Sequence, residues 1–210
     1  MKEYIKDFLP NDRSVRILDI GCGEGQTLQL LTENGYKNYV GVDIDRRAVE
    51  TCRQKGLNAE HITDLAQYLS GHRQEFGIIN MKEAIYYFPD DKMAEYLKRI
   101  KDALRDGGRL IVEVFNGALL TGAVFQYKDY KIRHIFTEYG LKRLLEDSGF
   151  AVTHLFGTVI KGGTLKRTVW KFFRFLWICI LRLIYMLELG SGDDRPKLWS
   201  KLIVAIAVKR

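Results

Sequence analysis

Residues 17–25 read Ile-Leu-Asp-Ile-Gly-Cys-Gly-Glu-Gly, an apolar run that leads into three glycines spaced as G-x-G-x-G. The apolar run predicts a β-strand, and the leucine-rich segment after it predicts a helix that ends near Gly35. Glycine adopts positive φ readily and lets a ligand approach the backbone. The start of a helix adds free N–H donors and a positive potential. This stretch therefore predicts a strand, a loop and a helix that together hold the polar part of a ligand.

Asp43 ends a second predicted strand at residues 39–43 and lies 18 residues after Gly25. A carboxylate at that place can accept hydrogen bonds from both hydroxyls of a ribose. Dinucleotide-binding folds need G-x-G-x-x-G to admit a diphosphate, whereas Gln26 stands where the last of those glycines would be. Asp19, directly before the loop, suits a ligand ammonium better than a diphosphate. The pattern favours a positively charged nucleoside over a dinucleotide.

Apolar runs that predict strands alternate with helical patterns along most of the chain. Further strands are predicted at residues 61–62, 76–79, 109–115, 150–156 and 202–208. The alternation predicts an α/β, Rossmann-like, doubly wound sheet of seven strands, mostly parallel and covered by helices on both faces. The last strand can return only antiparallel to the sixth. We expect a single domain over residues 1–210, with a helical insertion at 157–198 between strands six and seven.

The charge of the chain is concentrated at its end. The net charge is +7, with residues 1–160 holding 22 Lys and Arg against 23 Asp and Glu, and residues 161–210 holding 11 against 3. A basic C-terminal region on a neutral domain predicts an anionic partner, such as lipid, sugar phosphate or nucleic acid.

Cysteine usage and the N-terminal residues indicate where the protein works. Cys22, Cys52 and Cys179 are widely spaced and form no metal-ligand pattern, which predicts free thiols in a reducing cytosol and no metal site. The first residues contain no apolar core of the kind that signal peptides have. We therefore expect a cytoplasmic protein.

Five segments of the chain, in order, resemble the motifs of the class I S-adenosylmethionine-dependent methyltransferases. They are the glycine loop at 17–25, the ribose strand at 41–44, the fourth strand at 76–80 with Gly77 in place of the usual Asp, the turn at 104–110 with Asp106 in place of Pro, and the entry to strand six at 144–150. The resemblance covers roughly residues 14–156. It implies the same sheet and S-adenosyl-L-methionine as the cofactor.

The resemblance also implies roles for individual residues of the cofactor site. The residues concerned are Asp19 and the Gly21 backbone for the methionine part, Cys22, Gly23 and Gly25 for the rest of the loop, Asp43 for the ribose, Ile44 for the adenine face, Asp64 and the Leu65 amide for the adenine edge, and the Asn80 backbone for the methionine amino group. Two simpler readings stay open. The glycines can form a mere tight turn, and Asp64 can be a helix N-cap.

Methyl transfer requires an aligned acceptor and, for an oxygen or nitrogen acceptor, usually a base. The loop at 80–89 lies at the ligand-binding edge of such a sheet, and Tyr87 falls where many family members carry His. Candidates for catalysis are Glu83, His134 and Tyr87. Alternatively, Glu83 starts a helix, His134 is a capping or packing residue, and Tyr87 belongs to an aromatic wall. Residues 116–131 form either a lid over the acceptor or a packed surface loop.

Residues 165–187 combine cations with many aromatic and aliphatic side chains. Their longest uncharged run is 175–181, far short of the roughly 20 residues that a transmembrane helix needs. Three readings stay open. The segment lies on an anionic membrane surface, forms a dimer or cap helix whose cations bind a phosphorylated substrate, or is a core helix with one wet stripe.

A looser resemblance links strand six, a basic aromatic helix pair and the final strand to methyltransferases of bacterial surface-polysaccharide biosynthesis. It implies O-methylation of a glycan or another small, membrane-associated acceptor. Alternatives are a quinone-type methyltransferase, an RNA methyltransferase and a non-catalytic module that binds S-adenosylmethionine. The residues after strand four, 80–83, lack the tetrad typical of nucleic-acid amino methylation, and the basic segment is too apolar for a phosphate groove, which argues against nucleic acid.

Overall fold

The computed structural model describes residues 7–158, 165–190, 192 and 195–210. Within them lies one sheet of seven strands in the order β3-β2-β1-β4-β5-β7-β6. The strands are β1 (Ile17–Ile20), β2 (Tyr39–Asp43), β3 (Ala59–His61), β4 (Phe76–Lys82), β5 (Leu104–Phe115), β6 (Phe150–Gly157) and β7 (Leu202–Lys209).

Seven α-helices connect the strands within the described residues. They are α1 (Gln26–Glu33), α2 (Arg46–Gln54), α3 (Leu65–Ser70), α4 (Met93–Ala103), α5 (Gly122–Lys128), α6 (Glu138–Asp147) and α7 (Leu165–Leu189). Each predicted strand and helix from residue 15 to residue 156 has a counterpart here.

The order of the strands places the ligand-binding edge. Strands β1 to β5 pair in parallel, and β7 lies between β5 and β6, antiparallel to both. This confirms the predicted seven-stranded α/β fold with its antiparallel last strand. The chain leaves β1 on one side towards β2 and returns on the other side as β4, so the crevice at the carboxyl ends of β1 and β4 is the place where such sheets bind ligands.

Two hydrophobic clusters cover the two faces of the sheet. One contains Leu18, Val42, Ile79 and Val112 together with apolar residues of α3, α4 and α6. The other contains Ile17, Ile78 and Ile111 together with residues of α1 and α2. Because neighbouring residues of one strand enter opposite clusters, the central strands read as continuous apolar runs, as expected for a sheet covered on both sides.

Several bounds differ from the sequence-based predictions. Strand β4 continues to Lys82 because residues 80–82 still pair with β5, and β5 begins at Leu104, which pairs with Phe76 before an irregularity in the register. The described residues of the insertion contain one continuous helix, α7, so the predicted helix pair is not found there. Residues 1–6 of the predicted helix at 1–9 and part of the insertion lie outside the described residues.

Helix α7 has an inverted orientation. Its domain-facing stripe is Arg174, Ile178, Leu181 and Tyr185, spaced as i, i+4, i+7 and i+11. Leu181 is buried, and the Arg174 guanidinium donates to the carbonyl of Trp199 at 2.8 Å. The cations Lys171 and Arg182 border this stripe. The side of the helix that contains Arg174 and Leu181 therefore faces the domain, and Lys171 and Arg182 stay exposed at its border.

The opposite face of α7 is apolar and exposed. Its exposed side chains include Val169, Phe172, Phe173, Leu176, Ile180, Leu183 and Leu187, the last at 73%. A core helix with one wet stripe would turn its apolar face to the core. Here the apolar face is exposed, so that reading of the segment is wrong. Among the described residues, we find no helix with the length and hydropathy needed to cross a membrane.

Candidate cofactor and acceptor site

The glycine loop bends across the carboxyl ends of β1 and β2. The N–H groups of Gly21 and Cys22 both donate to the carbonyl of Val42, at 2.8 and 3.1 Å. The next N–H, that of Gly23, donates to Oδ2 of Asp43 at 2.8 Å. The loop therefore fixes the carboxylate that the sequence assigned to the ribose.

The three glycines of the loop all have positive φ, at 70°, 51° and 85° for Gly21, Gly23 and Gly25, but they serve different purposes. A Cβ on Gly21 would lie 2.8 Å from Cβ of Ala84, and one on Gly25 would lie 2.6 Å from Cδ1 of Leu57. A Cβ on Gly23 would meet nothing within 4 Å. Packing thus requires Gly21 and Gly25 to be small, whereas Gly23 borders open space.

The buried thiols of Cys22 and Cys52 lie on the core side of the glycine loop. Cys22 points into the core, and Sγ of Cys52 donates to the carbonyl of Gly23 at 3.1 Å. Burial raises the pKa of both thiols, so both stay protonated near neutral pH. Cys22, which the sequence placed in the cofactor site, therefore offers only its backbone to a ligand.

Asp19 is a buried carboxylate at the base of the loop. It is 2% exposed, and Nδ2 of Asn80 donates to its Oδ1 at 2.6 Å. Burial raises the pKa of Asp19 to about 7, while hydrogen bonds from Asn80 and Thr27 act in the opposite direction. A nearby cation would stabilise the ionised form. Asp19 is therefore suited to pair with the ammonium group of a ligand.

The side chain of Asn80 has a role that the sequence analysis missed. Asn80 lies opposite Asp19 in the parallel pairing of β1 and β4, and its amide satisfies the buried acid. The backbone contact proposed for Asn80 stays a prediction. The signal for the side-chain role was the presence of two polar residues in adjacent apolar strands, which must satisfy each other when buried.

The start of α1 provides hydrogen-bond donors next to Asp19. Gly25 is the N-cap, and no side chain caps the helix. The first N–H groups of a helix have no partner within it and carry a partial positive charge. Lys82 lies at the same edge and donates from Nζ to Oε1 of Gln26 at 3.1 Å.

The end of β2 combines a fixed acid with an exposed aliphatic side chain. Oδ1 of Asp43 accepts from the N–H of Asp45 at 2.9 Å, in addition to the bond from Gly23. Ile44, the next residue, is 72% exposed. An aliphatic side chain that projects beside a held carboxylate offers a surface for a flat ring.

Asp64 acts as a helix N-cap. Its Oδ1 accepts from the N–H of Gln67 at 2.8 Å, and its Oδ2 pairs with Nζ of Lys92 at 3.1 Å. These bonds hold the pKa of Asp64 below its usual value. The structure therefore confirms the helix N-cap, which the sequence analysis gave as the simpler alternative for Asp64. Contact of Asp64 and of the Leu65 amide, the first N–H of α3, with an adenine edge stays a prediction.

Glu83 follows β4 in a strained conformation. Its φ is 55°, one of two positive values for non-glycine residues in the described chain, and its N–H donates to the carbonyl of Glu113 at 2.8 Å. Such conformations cost of order 1–3 kcal/mol and cluster at functional sites. Burial raises the pKa of Tyr86, and the nearby charge of the Glu83 carboxylate acts in the same direction.

Aromatic rings form a wall next to Glu83. Tyr86 stacks on Phe115 with ring centroids 5.7 Å apart, and Phe115 stacks on Phe125 of α5 at 4.4 Å. Tyr87 donates to Oδ2 of Asp129 at 3.2 Å. Burial, together with this bond, raises the pKa of Tyr87 to about 12. Residues 116–131, which we call the lid, therefore pack against the loop after β4, and their covering of an acceptor stays a prediction.

His134, which follows the lid in the chain, is bound to the loop after β4. Its Nε2 lies 3.0 Å from the carbonyl of Phe88 and 3.0 Å from Oδ1 of Asp90, and its backbone N–H donates to the carbonyl of Tyr86. Since both partners of Nε2 are acceptors, this nitrogen carries a proton and donates it. The arrangement favours a packing role for His134, and its catalytic role stays a prediction.

Comparison with known proteins shows the family to which the chain belongs. Residues 1–155 match the family described as a methyltransferase domain, and the chain belongs to that family. A methyltransferase from Archaeoglobus fulgidus has a TM-score of 0.71 at 20% identity, over 98% of this chain and 91% of its own. Its crystal structure is described as that of an S-adenosylmethionine-dependent enzyme, and at this identity the likeness shows the fold.

Curated relatives share the same part of the chain. A ubiquinone biosynthesis O-methyltransferase from Chelativorans sp. is 25% identical over 159 residues, which are 74% of this chain and 56% of that protein. A tRNA (guanine-N(7)-)-methyltransferase from Christiangramia forsetii is 25% identical over 122 residues, 50% of this chain and 53% of that protein. This chain therefore spans about half the length of these relatives.

Together, the fold and the family show a methyltransferase domain with S-adenosyl-L-methionine as its cofactor. The residues at the edge of the sheet fit this molecule. Gly23 leaves open space, Asp19 is a buried acid, and Ile44 is an uncovered aliphatic side chain beside Asp43.

Proposed function

We propose that this enzyme O-methylates a small acceptor that is held at an anionic membrane surface, such as a lipid-linked glycan. The observation that carries the proposal is the inverted orientation of α7, which turns aromatic and aliphatic side chains to the outside. A wide apolar face of this kind is not stable in water unless something covers it. Covering it by a bilayer places the enzyme beside acceptors that are anchored in lipid.

Charge favours a membrane over a second copy of the chain. The 11 Lys and Arg against 3 Asp and Glu of residues 161–210 attract anionic lipid but would repel an identical surface. Trp170 and Trp177 are 47% and 50% exposed, and tryptophan is typical of the membrane–water interface. A homodimer through α7 is the weaker reading for this reason.

A quinone-type acceptor is the second candidate. The observation that favours it is the relative named for O-methylation in ubiquinone biosynthesis, together with the aromatic wall of Tyr86 and Phe115. Planar rings stack well on such a wall. Both candidates share a hydroxyl acceptor at a membrane and differ in whether a sugar or an aromatic ring carries it.

In the proposed mechanism, the chain mainly aligns the reactants. The bound cofactor supplies a methyl group on a positively charged sulfur, which makes the methyl reactive without a metal ligand from the protein. Asp19 and the start of α1 hold the amino-acid part, and Asp43 and Ile44 hold the nucleoside. The closed lid excludes water from the edge of β4.

Glu83 is the proposed base for the acceptor hydroxyl. It lies directly after β4 in a strained conformation beside Tyr86. Tyr87, with its pKa raised to about 12, stays protonated near neutral pH and holds the lid instead. His134 donates from Nε2 to Phe88 and Asp90, so only its Nδ1 is left for proton transfer. Glu83→Gln should lower kcat more than His134→Ala does.

One experiment tests the proposed reaction. The purified protein is incubated with methyl-labelled cofactor and a bacterial membrane extract, and the label is followed into lipid, glycan, RNA and protein fractions. We expect alkali-stable label in the lipid-extractable fraction, because methyl ethers resist alkali. Asp43→Ala is the control and should abolish the transfer. Label in RNA alone would overturn the proposal and favour the nucleic-acid alternative, and binding of cofactor with no transfer to any fraction would favour a non-catalytic module.

A further inference from the structure

The lid has an inner and an outer side. Phe125 packs inward on Phe115, whereas several large apolar side chains of the lid point outward. These are Leu120, Val124, Tyr127 and Tyr130, which are 59, 64, 81 and 91% exposed. The spacing 120, 124 and 127 places three of them on one face of α5 and its approach. The lid therefore repeats, on a smaller scale, the exposed apolar surface of α7.

The lid is attached to α7 and to the segment that follows it. Tyr185 of α7 donates from its hydroxyl to the carbonyl of Ala118. At the root of the lid, Nδ2 of Asn116 donates to the carbonyls of Leu198 and Ser200 at 2.8 and 3.0 Å. A displacement of α7 is therefore transmitted to the lid by direct contacts.

Cations accompany the exposed apolar side chains of the lid. Lys128 and Lys131 flank Tyr130, with Nζ of Lys131 lying 5.9 Å from the ring of Tyr130. Tyrosine next to lysine is a combination that suits the headgroup region of an anionic bilayer, where the ring inserts and the cation meets phosphate.

We propose that the lid and α7 form one surface that docks on an anionic bilayer, so that the acceptor enters the site from the membrane beneath the lid. This inference rests on the proposed membrane association of α7 and adds the lid to the contact. Docking draws Tyr127 and Tyr130 into the interface, and the bond between Tyr185 and Ala118 couples their position to that of α7.

The chain supplies sites for a direct test. Cys179 lies on α7 and is exposed, whereas Cys22 and Cys52 are buried, so an environment-sensitive fluorophore can be attached at one chosen thiol. The full chain is labelled at the native Cys179, or at Tyr127→Cys or Lys37→Cys in a Cys179→Ser background. Lys37 is exposed and precedes β2, at the opposite edge of the sheet. Vesicles of phosphatidylcholine with and without phosphatidylglycerol are then added.

We expect a blue shift of the fluorophore at positions 179 and 127, and none at 37, with the anionic vesicles only. A shift at 179 without one at 127 would overturn the inference about the lid and leave the membrane proposal intact. No shift at 179 would contradict the membrane association itself. A shift at all three positions would indicate unspecific adsorption and would also overturn the inference.

Two variants test the coupling between α7 and the lid. Tyr185→Phe removes the hydroxyl that donates to Ala118, and it should reduce the shift at position 127 by at least half while the shift at 179 persists. An undiminished shift at 127 would refute the coupling. Tyr127→Ser combined with Tyr130→Ser should weaken partition into anionic vesicles about tenfold, because both rings leave the interface. Unchanged partition would show that the lid stays out of the membrane.

Discussion

Asp19→Asn should stabilise the cofactor-free protein near neutral pH. The carboxylate is 2% exposed, and its pKa is raised from 3.8 to about 7. A shift of about three units corresponds to about 4 kcal/mol of stability that ionised Asp19 removes from the folded state. Asparagine keeps an acceptor for Asn80 but loses one hydrogen bond of about 1–2 kcal/mol. The expected net gain is about 2 kcal/mol above pH 7.

The pH dependence of this gain follows from the direction of the shift. Below pH about 4, Asp19 is protonated in both the folded and the unfolded chain. Burial of the neutral carboxyl group then adds no pH-dependent loss to the free energy of unfolding. Between pH about 4 and about 7 only the unfolded chain releases the proton, so the wild-type protein loses stability as the pH rises. The difference between variant and wild type should therefore grow over this window and level off above it.

Urea unfolding followed by circular dichroism over this pH range measures the difference, and calorimetry measures cofactor binding. Asp19→Asn should weaken the binding of S-adenosylmethionine about tenfold to a hundredfold, because a charge-assisted hydrogen bond to the ammonium group is lost. Thr27→Val is the matched control, since it removes a hydroxyl that lowers the pKa of Asp19 but keeps the carboxylate. A difference in stability that does not change with pH, or an unchanged affinity, would refute the reasoning.

Asp43→Ala should weaken cofactor binding at least tenfold by calorimetry, roughly the worth of one lost charge-assisted bond, and equal affinity would rule out the ribose assignment. Gly25→Ala should lower the free energy of unfolding by about 2 kcal/mol or more, because it adds strain at positive φ to a clash, whereas Gly23→Ala should cost about 1 kcal/mol and mainly reduce affinity. Asp64→Ala should cost about 1 kcal/mol in urea unfolding and Asp64→Asn much less, since asparagine also caps helices. His134→Ala should lower Tm while kcat stays within about threefold, and a loss beyond about a hundredfold, in the range of general-base removal, would restore His134 as the base.

The cofactor half of the site could be predicted from the sequence because its geometry is local. A strand, a glycine loop and an acid at the end of the next strand leave little choice for the backbone. The structure joins Gly23 to Asp43 and places Asp19, which pairs with Asn80, directly before the loop. What the pattern could not separate was packing from ligand contact. Gly25 has to be small because the side chains of Leu57 and Cys52 occupy the space that a Cβ would need. Both residues lie well beyond the glycine loop in the sequence.

The residues at which other strands begin and end depend on pairing with distant parts of the chain. Strand β4 was predicted to end at Ile79, yet Asn80, Met81 and Lys82 remain paired with β5. Polar side chains normally argue against a buried strand, but Asn80 is satisfied by Asp19 across the sheet. A single sequence does not reveal which distant polar group will compensate another, so the strand was predicted too short.

The proposed acceptor half of the site is assembled from segments that are far apart in the chain. Phe115 meets Phe125 of the lid and Lys201 beyond the insertion, a combination that no spacing rule indicates. The orientation of α7 likewise depends on contacts between distant segments. Its amphipathic pattern defines a polar and an apolar face, and the usual rule turns the apolar face inward. Here the contacts of Arg174 and Tyr185 turn it outward. Because a single helix can cover the domain with only one face, this choice exposes the aromatic side chains next to the lid, and it is the reason for placing the acceptor at a membrane.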